Sequence, residues 1–124
     1  MEFIKATDIK ELANPGVVSR QLLNPENSES VRVTITEVHV QPGSIQKRHI
    51  HKTSEQIWYA VRGNGTLLLE DEKEVSFQSG DVVRFADGDV HGLKNSGAEE
   101  FVYISVTSPP INFMYAYKDK GEKK

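Results

Sequence analysis

Four histidines occur in the 124-residue chain, and two of them form the run His49-Ile50-His51. In an extended strand, residues i and i+2 point to the same face, so the two imidazoles converge on one point while Ile50 turns away. Such a pair offers two neighbouring nitrogen ligands to one metal ion. The chain has no cysteine, which removes thiolate ligands and cysteine nucleophiles and leaves His, Asp, Glu and Gln to hold any metal. Lys47 precedes His49 by two residues and shares its alternation. It reads either as a solvated loop lysine or as a substrate-pocket residue whose ammonium would pair with a substrate carboxylate near the mouth of the site. His39 fits no ligand spacing and reads as a surface or wall histidine.

Residues of this kind need strands to aim them. From Val17 onward, short β-branched and aromatic runs alternate with turn residues, which predicts strands over 17–23, 31–40, 49–51, 56–61, 66–70, 74–77, 82–85, 91–94 and 100–107. Asn24-Pro25, Pro42-Gly43, Gly63-Asn64-Gly65, Ser79-Gly80-Asp81, Asp87-Gly88-Asp89 and Ser108-Pro109-Pro110 punctuate them. Many short strands with turns at intervals of roughly 8–12 residues predict an all-β sandwich or barrel, and closing a sheet removes exposed edges. Asp8-Ile9-Lys10-Glu11 has the spacing of a capping box before Leu12, so a short N-terminal helical turn is expected there, stopped by Asn14-Pro15-Gly16. No repeat or internal linker divides the chain. One domain is expected over 1–124, with its barrel core at 17–107 and a partly ordered C-terminal segment at 108–124. The run 111–117 is too apolar for a free tail and is expected to cover the barrel or pair with a second subunit. Lys118, Lys120, Lys123 and Lys124, mixed with Asp119 and Glu122, read as a solvated, disordered end.

The histidine pair sits in a longer pattern. Gly43-x5-His49-x-His51 is followed by Glu55, Gln56 and Gly63, and then by Gly80-x5-Ala86-x-Gly88-x2-His91-x3-Asn95. These two stretches resemble the motifs of the cupin family, G-x5-H-x-H-x3,4-E-x6-G and G-x5-P-x-G-x2-H-x3-N, with Ala86 where the family has proline. The resemblance implies a jelly-roll, or double-stranded β-helix, barrel. It makes His49, His51 and His91 metal ligands and turns Gly43, Gly63, Gly80 and Gly88 into turn glycines needing positive φ. The fourth ligand position departs from the family. Gln56 lies six residues before Gly63, as the motif requires, whereas Glu55 keeps the usual carboxylate but falls out of that register. Because strand residues alternate, only one of them faces inward. The register favours Gln56, which would also make Trp58 a pocket wall, and Glu55 is its rival.

Nitrogen and oxygen ligands with open positions suit one divalent ion, whether Fe, Mn, Ni, Co, Zn or Cu. A site of three imidazoles and an amide leaves the ion's charge uncompensated and should favour an anionic, oxygen-rich small-molecule ligand. The resemblance implies either a metal-dependent enzyme of isomerase, dioxygenase or decarboxylase type, or a binding module that uses the same pocket without turnover. It also favours a homodimer. A formal net charge of -3 argues against a nucleic-acid binder, which needs clustered positive charge. No run reaches the roughly 20 apolar residues of a membrane span, and the first residues lack the apolar core of a secretory signal. A soluble cytoplasmic protein is expected.

Overall fold

Alternation decides which face of each strand enters the core. In the computed structural model, which describes residues 1–111, Thr34, Thr36, Val38 and Val40 are buried along one strand, while Ile35, Glu37 and His39 between them lie half-buried on its outer face. The described residues form ten strands: β1 (Lys10–Asn14), β2 (Val17–Leu23), β3 (Thr34–Val40), β4 (Ile45–His49), β5 (Glu55–Arg62), β6 (Asn64–Leu68), β7 (Glu74–Gln78), β8 (Val82–Phe85), β9 (His91–Lys94) and β10 (Phe101–Ser108). They make a six-stranded sheet, β1-β2-β3-β10-β5-β8, and a four-stranded sheet, β4-β9-β6-β7. Every neighbouring pair is antiparallel. This is the expected jelly-roll barrel of the double-stranded β-helix type.

The interior changes character along the barrel. One end holds Val40, Ala60, Phe77, Leu93 and Phe101, all buried. Full burial of a Phe side chain such as Phe77 or Phe101 contributes roughly 1.5–3 kcal/mol. Toward the other end, inward positions of the large sheet become polar: Ser19 and Gln21 in β2, Thr34 and Thr36 in β3, Gln56 in β5, Ser105 and Thr107 in β10.

Two local expectations are corrected. The short helical turn is present, but at Ala6–Asp8, so that Asp8 ends it rather than capping its start. The residues after it form β1, paired with β2 from Lys10↔Gln21 to Asn14↔Val17, and Asn14-Pro15-Gly16 makes the hairpin between them. Strand β4 begins before the histidines and stops at His49, which leaves His51 in the following loop. Gly43, Gly63, Gly80 and Gly88 all have positive φ, as turn glycines must. Of the run 111–117, only Ile111 lies within the described residues.

Candidate metal centre

Three imidazoles meet at one mouth of the barrel. The ligand atoms available from His49, His51 and His91 all lie within 4.8 Å of one another. Ring centroids are 5.0 Å apart for His49 and His51, 4.3 Å for His49 and His91, and 5.1 Å for His51 and His91. His49 and His91 are cross-strand partners in β4 and β9. The sequence thus places the histidines together by two means. His49 and His91 arrive by strand pairing. His51 arrives by a loop, whose backbone carbonyl accepts a hydrogen bond from Gly88 N–H at 2.8 Å. Ile50 between them points outward, exposed.

Hydrogen bonds fix which nitrogen each ring presents. Nδ1 of His49 lies 2.8 Å from the Lys47 carbonyl and Nδ1 of His91 lies 3.0 Å from the Asp89 carbonyl. A carbonyl only accepts, so both Nδ1 atoms carry the proton and both Nε2 atoms offer lone pairs. Nε2 of His91 is buried without a hydrogen-bond partner among the described residues. A buried polar atom left unsatisfied is costly unless something completes it. Burial pushes the pKa of His51 down to about 4, and the nearby His49 adds to the effect. Burial likewise holds His91 at about 4. Both rings are therefore neutral at pH 7, the state a metal requires. An orphaned nitrogen, fixed tautomers and neutral rings all fit a divalent ion, and the three histidines are positioned to bind one.

The surroundings hold His91 in place. Phe85 stacks on it at a centroid distance of 4.5 Å and an interplanar angle of 16°. In the turn before it, Ala86 N–H donates to Asp89 Oδ2 at 2.8 Å. Proline, which the related motif has at this position, has no N–H and could not make that bond. Gly92, next to His91, allows the closest backbone approach in the site. A Cβ there would stand 2.7 Å from Gln46 O and 2.9 Å from Arg48 N in β4. Asn95, the last motif residue, is structural: its Nδ2 donates to the carbonyls of Val40 and Glu99.

The structure places Gln56 inside and Glu55 outside. Gln56 is 4% exposed; its Oε1 accepts from Trp58 Nε1 at 3.0 Å and its Nε2 donates to Thr107 Oγ1 at 2.9 Å. Indole N–H can only donate, which fixes the amide's orientation. Glu55 instead pairs with Arg84 at 2.6 Å on the outer face. Trp58 is buried and packs against Tyr103 and Phe85 at centroid distances of 4.4 and 5.0 Å. His39 lies away from the centre, between Glu37 at 3.1 Å and Glu100 at 3.2 Å.

A cavity of about 610 Å³ adjoins the histidines. Val17, Val38, Trp58 and Tyr103 form an apolar part of its wall, and Ser19, Thr36, Gln56 and Ser105 a polar part. Lys47 and Arg48 also line it, and among the described residues no carboxylate lines the cavity beside them. Sequence reasoning missed Thr36 and Ser105. The signal was present, since both fall on inward positions of alternating strands where a barrel core would ordinarily be aliphatic.

Comparison with known proteins gives one family and several relatives. The family model described as Cupin domain matches residues 36–107, more than half of the chain. An uncharacterized protein of Methanocaldococcus jannaschii is 29% identical over 87% of this chain and 82% of its own length. An oxalate-binding protein of Thermotoga maritima is 26% identical over 68% of this chain and 69% of its own. Among solved structures, the polyketide cyclase RemF from Streptomyces resistomycificus superposes with a TM-score of 0.76 at 21% identity, covering 87% of this chain and 79% of that one.

Proposed function

The chain belongs to the cupin family, and from that premise we propose that it is a metal-dependent enzyme acting on a small, anionic, oxygen-rich metabolite. The observation that carries this reading is the meeting of three imidazoles, two of them, His49 and His51, on the wall of a cavity that holds two cationic residues and, among the described residues, no carboxylate. His49, His51 and His91 would hold one divalent ion, of Fe, Mn, Ni, Co, Zn or Cu. Gln56 is the fourth ligand in this reading. An amide oxygen has two lone pairs, so accepting from Trp58 leaves one for the ion. When bound, a divalent ion supplies Lewis acidity to a substrate oxygen.

The chain's own residues do the rest. Lys47 offers an ammonium to the substrate's carboxylate at the cavity wall. Trp58, held by Gln56, gives the carbon skeleton an apolar surface. The cavity walls of β2, β3, β5 and β10 limit the water that reaches the substrate. Neutral ligands leave the site's charge positive, which draws an anion.

One finding favours a binding module instead: the Thermotoga maritima relative is named an oxalate-binding protein. Reconstitution with each metal without oxygen, then a thermal-shift panel of small acids and sugars with product analysis, separates the two readings. The enzyme reading expects an acid to stabilise only the metal-loaded protein and to be converted. Stabilisation without product for every metal, with and without O2, would establish the binder. Equal stabilisation of metal-free protein would overturn both. We further propose a cytoplasmic homodimer, a reading supported by the absence of cysteine and by the exposed Ile57, Tyr59, Val61 and Val82 on the outer face of β5 and β8.

A further inference from the structure

The polar part of the cavity wall presents hydroxyls that the packing of the fold does not use. Thr36 and Ser105 are cross-strand partners in β3 and β10, are only 6% and 7% exposed, and line the same cavity as the histidines. Neither hydroxyl has a hydrogen-bond partner among the described residues. Val38 and Val40 occupy the next inward positions of β3, so valine at 36 would pack the same wall with nearly the same shape. The buried side-chain oxygens without a partner do not include these two, so both hydroxyls open onto the cavity rather than into the packing of the wall. Ser19 extends the row on β2: its Oγ accepts from Gln21 Nε2 at 3.0 Å, which leaves its own O–H to donate into the cavity.

We propose that the site takes a polyhydroxylated carboxylate, a sugar acid, with its acid end at the histidines and Lys47 and its hydroxyls along Ser19, Thr36 and Ser105. This rests on the reading above that the three histidines hold a metal ion. The wall supplies what such a ligand needs. Hydroxyls both donate and accept, so Thr36 and Ser105 can each pair with a ligand hydroxyl in either sense. Trp58 and Val38 offer an apolar face to its C–H groups. Extent points the same way: the open cavity of about 610 Å³ runs from His49 and His51 to Ser19, Thr36 and Ser105. A two-carbon dicarboxylate has no hydroxyl to offer that wall.

Trp58 is the only tryptophan and lines the cavity, so intrinsic fluorescence reads binding there directly. The test titrates Zn2+-reconstituted protein with D-gluconate, hexanoate, D-glucitol and oxalate. Gluconate is expected to bind at least tenfold more tightly than hexanoate, which has the acid alone, or glucitol, which has the hydroxyls alone. Thr36→Val and Ser105→Ala should each weaken gluconate by about three- to tenfold, lower the ratio of gluconate to hexanoate affinity, and leave the zinc content at one ion per chain. Each substitution tests the wall independently, so one that fails to fold does not spare the proposal. Gluconate binding no better than hexanoate, or unmoved by both substitutions, would overturn it. Tight oxalate binding beside indifferent gluconate would reject the hydroxyl wall while the metal reading stands. Failure of the wild-type chain to take up Zn2+ would overturn both.

Discussion

Replacing Gly92 with alanine tests how the centre is assembled, because the obstacle it creates is backbone rather than a movable side chain. The new Cβ would lie 2.7 Å from Gln46 O, 2.9 Å from Arg48 N and 3.0 Å from Lys47 C, where ordinary contact begins at 3.4 Å. Strand β4 would have to withdraw by roughly 0.7 Å, more than the ~0.5 Å tolerance of a preorganised site. The withdrawal falls at the irregularity between Gln46 and His49, directly before the first histidine. Overpacking of this kind costs about 1–3 kcal/mol, which for a chain of this size lowers the melting temperature by about 3–12 °C. Thermal melting of the metal-free protein, followed by Zn2+ titration, measures both consequences. Metal affinity should fall at least tenfold. Gly97→Ala is the control, since its Cβ would meet nothing closer than 3.4 Å. If Gly92→Ala melts like the wild type and binds zinc as tightly, the close approach of β4 to β9 does not set the histidine geometry.

Three other perturbations address separate parts of the site. Gln56→Glu should tighten metal binding and weaken anionic ligands, because a carboxylate partly neutralises an ion that an amide only solvates; calorimetric titration of both should find Glu55→Gln nearly inert, since Glu55 faces Arg84 outside the barrel. Asp89→Ala removes the acceptor for Ala86 N–H and should cost about 1 kcal/mol in urea unfolding, with weaker metal binding through the loosened His91 turn. Burial lowers the His39 pKa, but hydrogen bonds and charge from Glu37 and Glu100 outweigh it and raise the value above 6.5. The stability that this pair of contacts contributes is therefore full below 6.5 and lost as pH rises through the raised value. Denaturant unfolding should find His39→Gln more destabilising at pH 6 than at pH 9.

Most of the barrel is legible in the sequence because alternation and turn residues are local signals. Val17–Leu23, Val82–Phe85 and His91–Lys94 are strands at their expected bounds. Strand β1 was not legible: Lys-Glu-Leu-Ala-Asn has weak β preference, and only pairing with β2 makes it extended. Convergence of His49 and His51 is correct, but simple strand alternation is not its whole cause, since β4 ends at His49 and a bond from Gly88 steadies the loop beyond. The register of Gln56 to Gly63 already favours the residue that faces inward, but the partners that hold the pair, Arg84 outside and Thr107 inside, are distant ones that the local sequence does not reveal. Gly92 is invisible for the same reason, because the atoms that demand it lie more than forty residues earlier in the chain.

In the proposed centre His49, His51 and His91 together hold one divalent ion. Elemental analysis of the purified wild type beside the His91→Ala protein, with circular dichroism to confirm that both are folded, tests it most directly. One ion per chain is expected in the wild type and sharply less in the variant, with the β-sheet spectrum retained. A folded His91→Ala protein carrying a full equivalent of metal would contradict it.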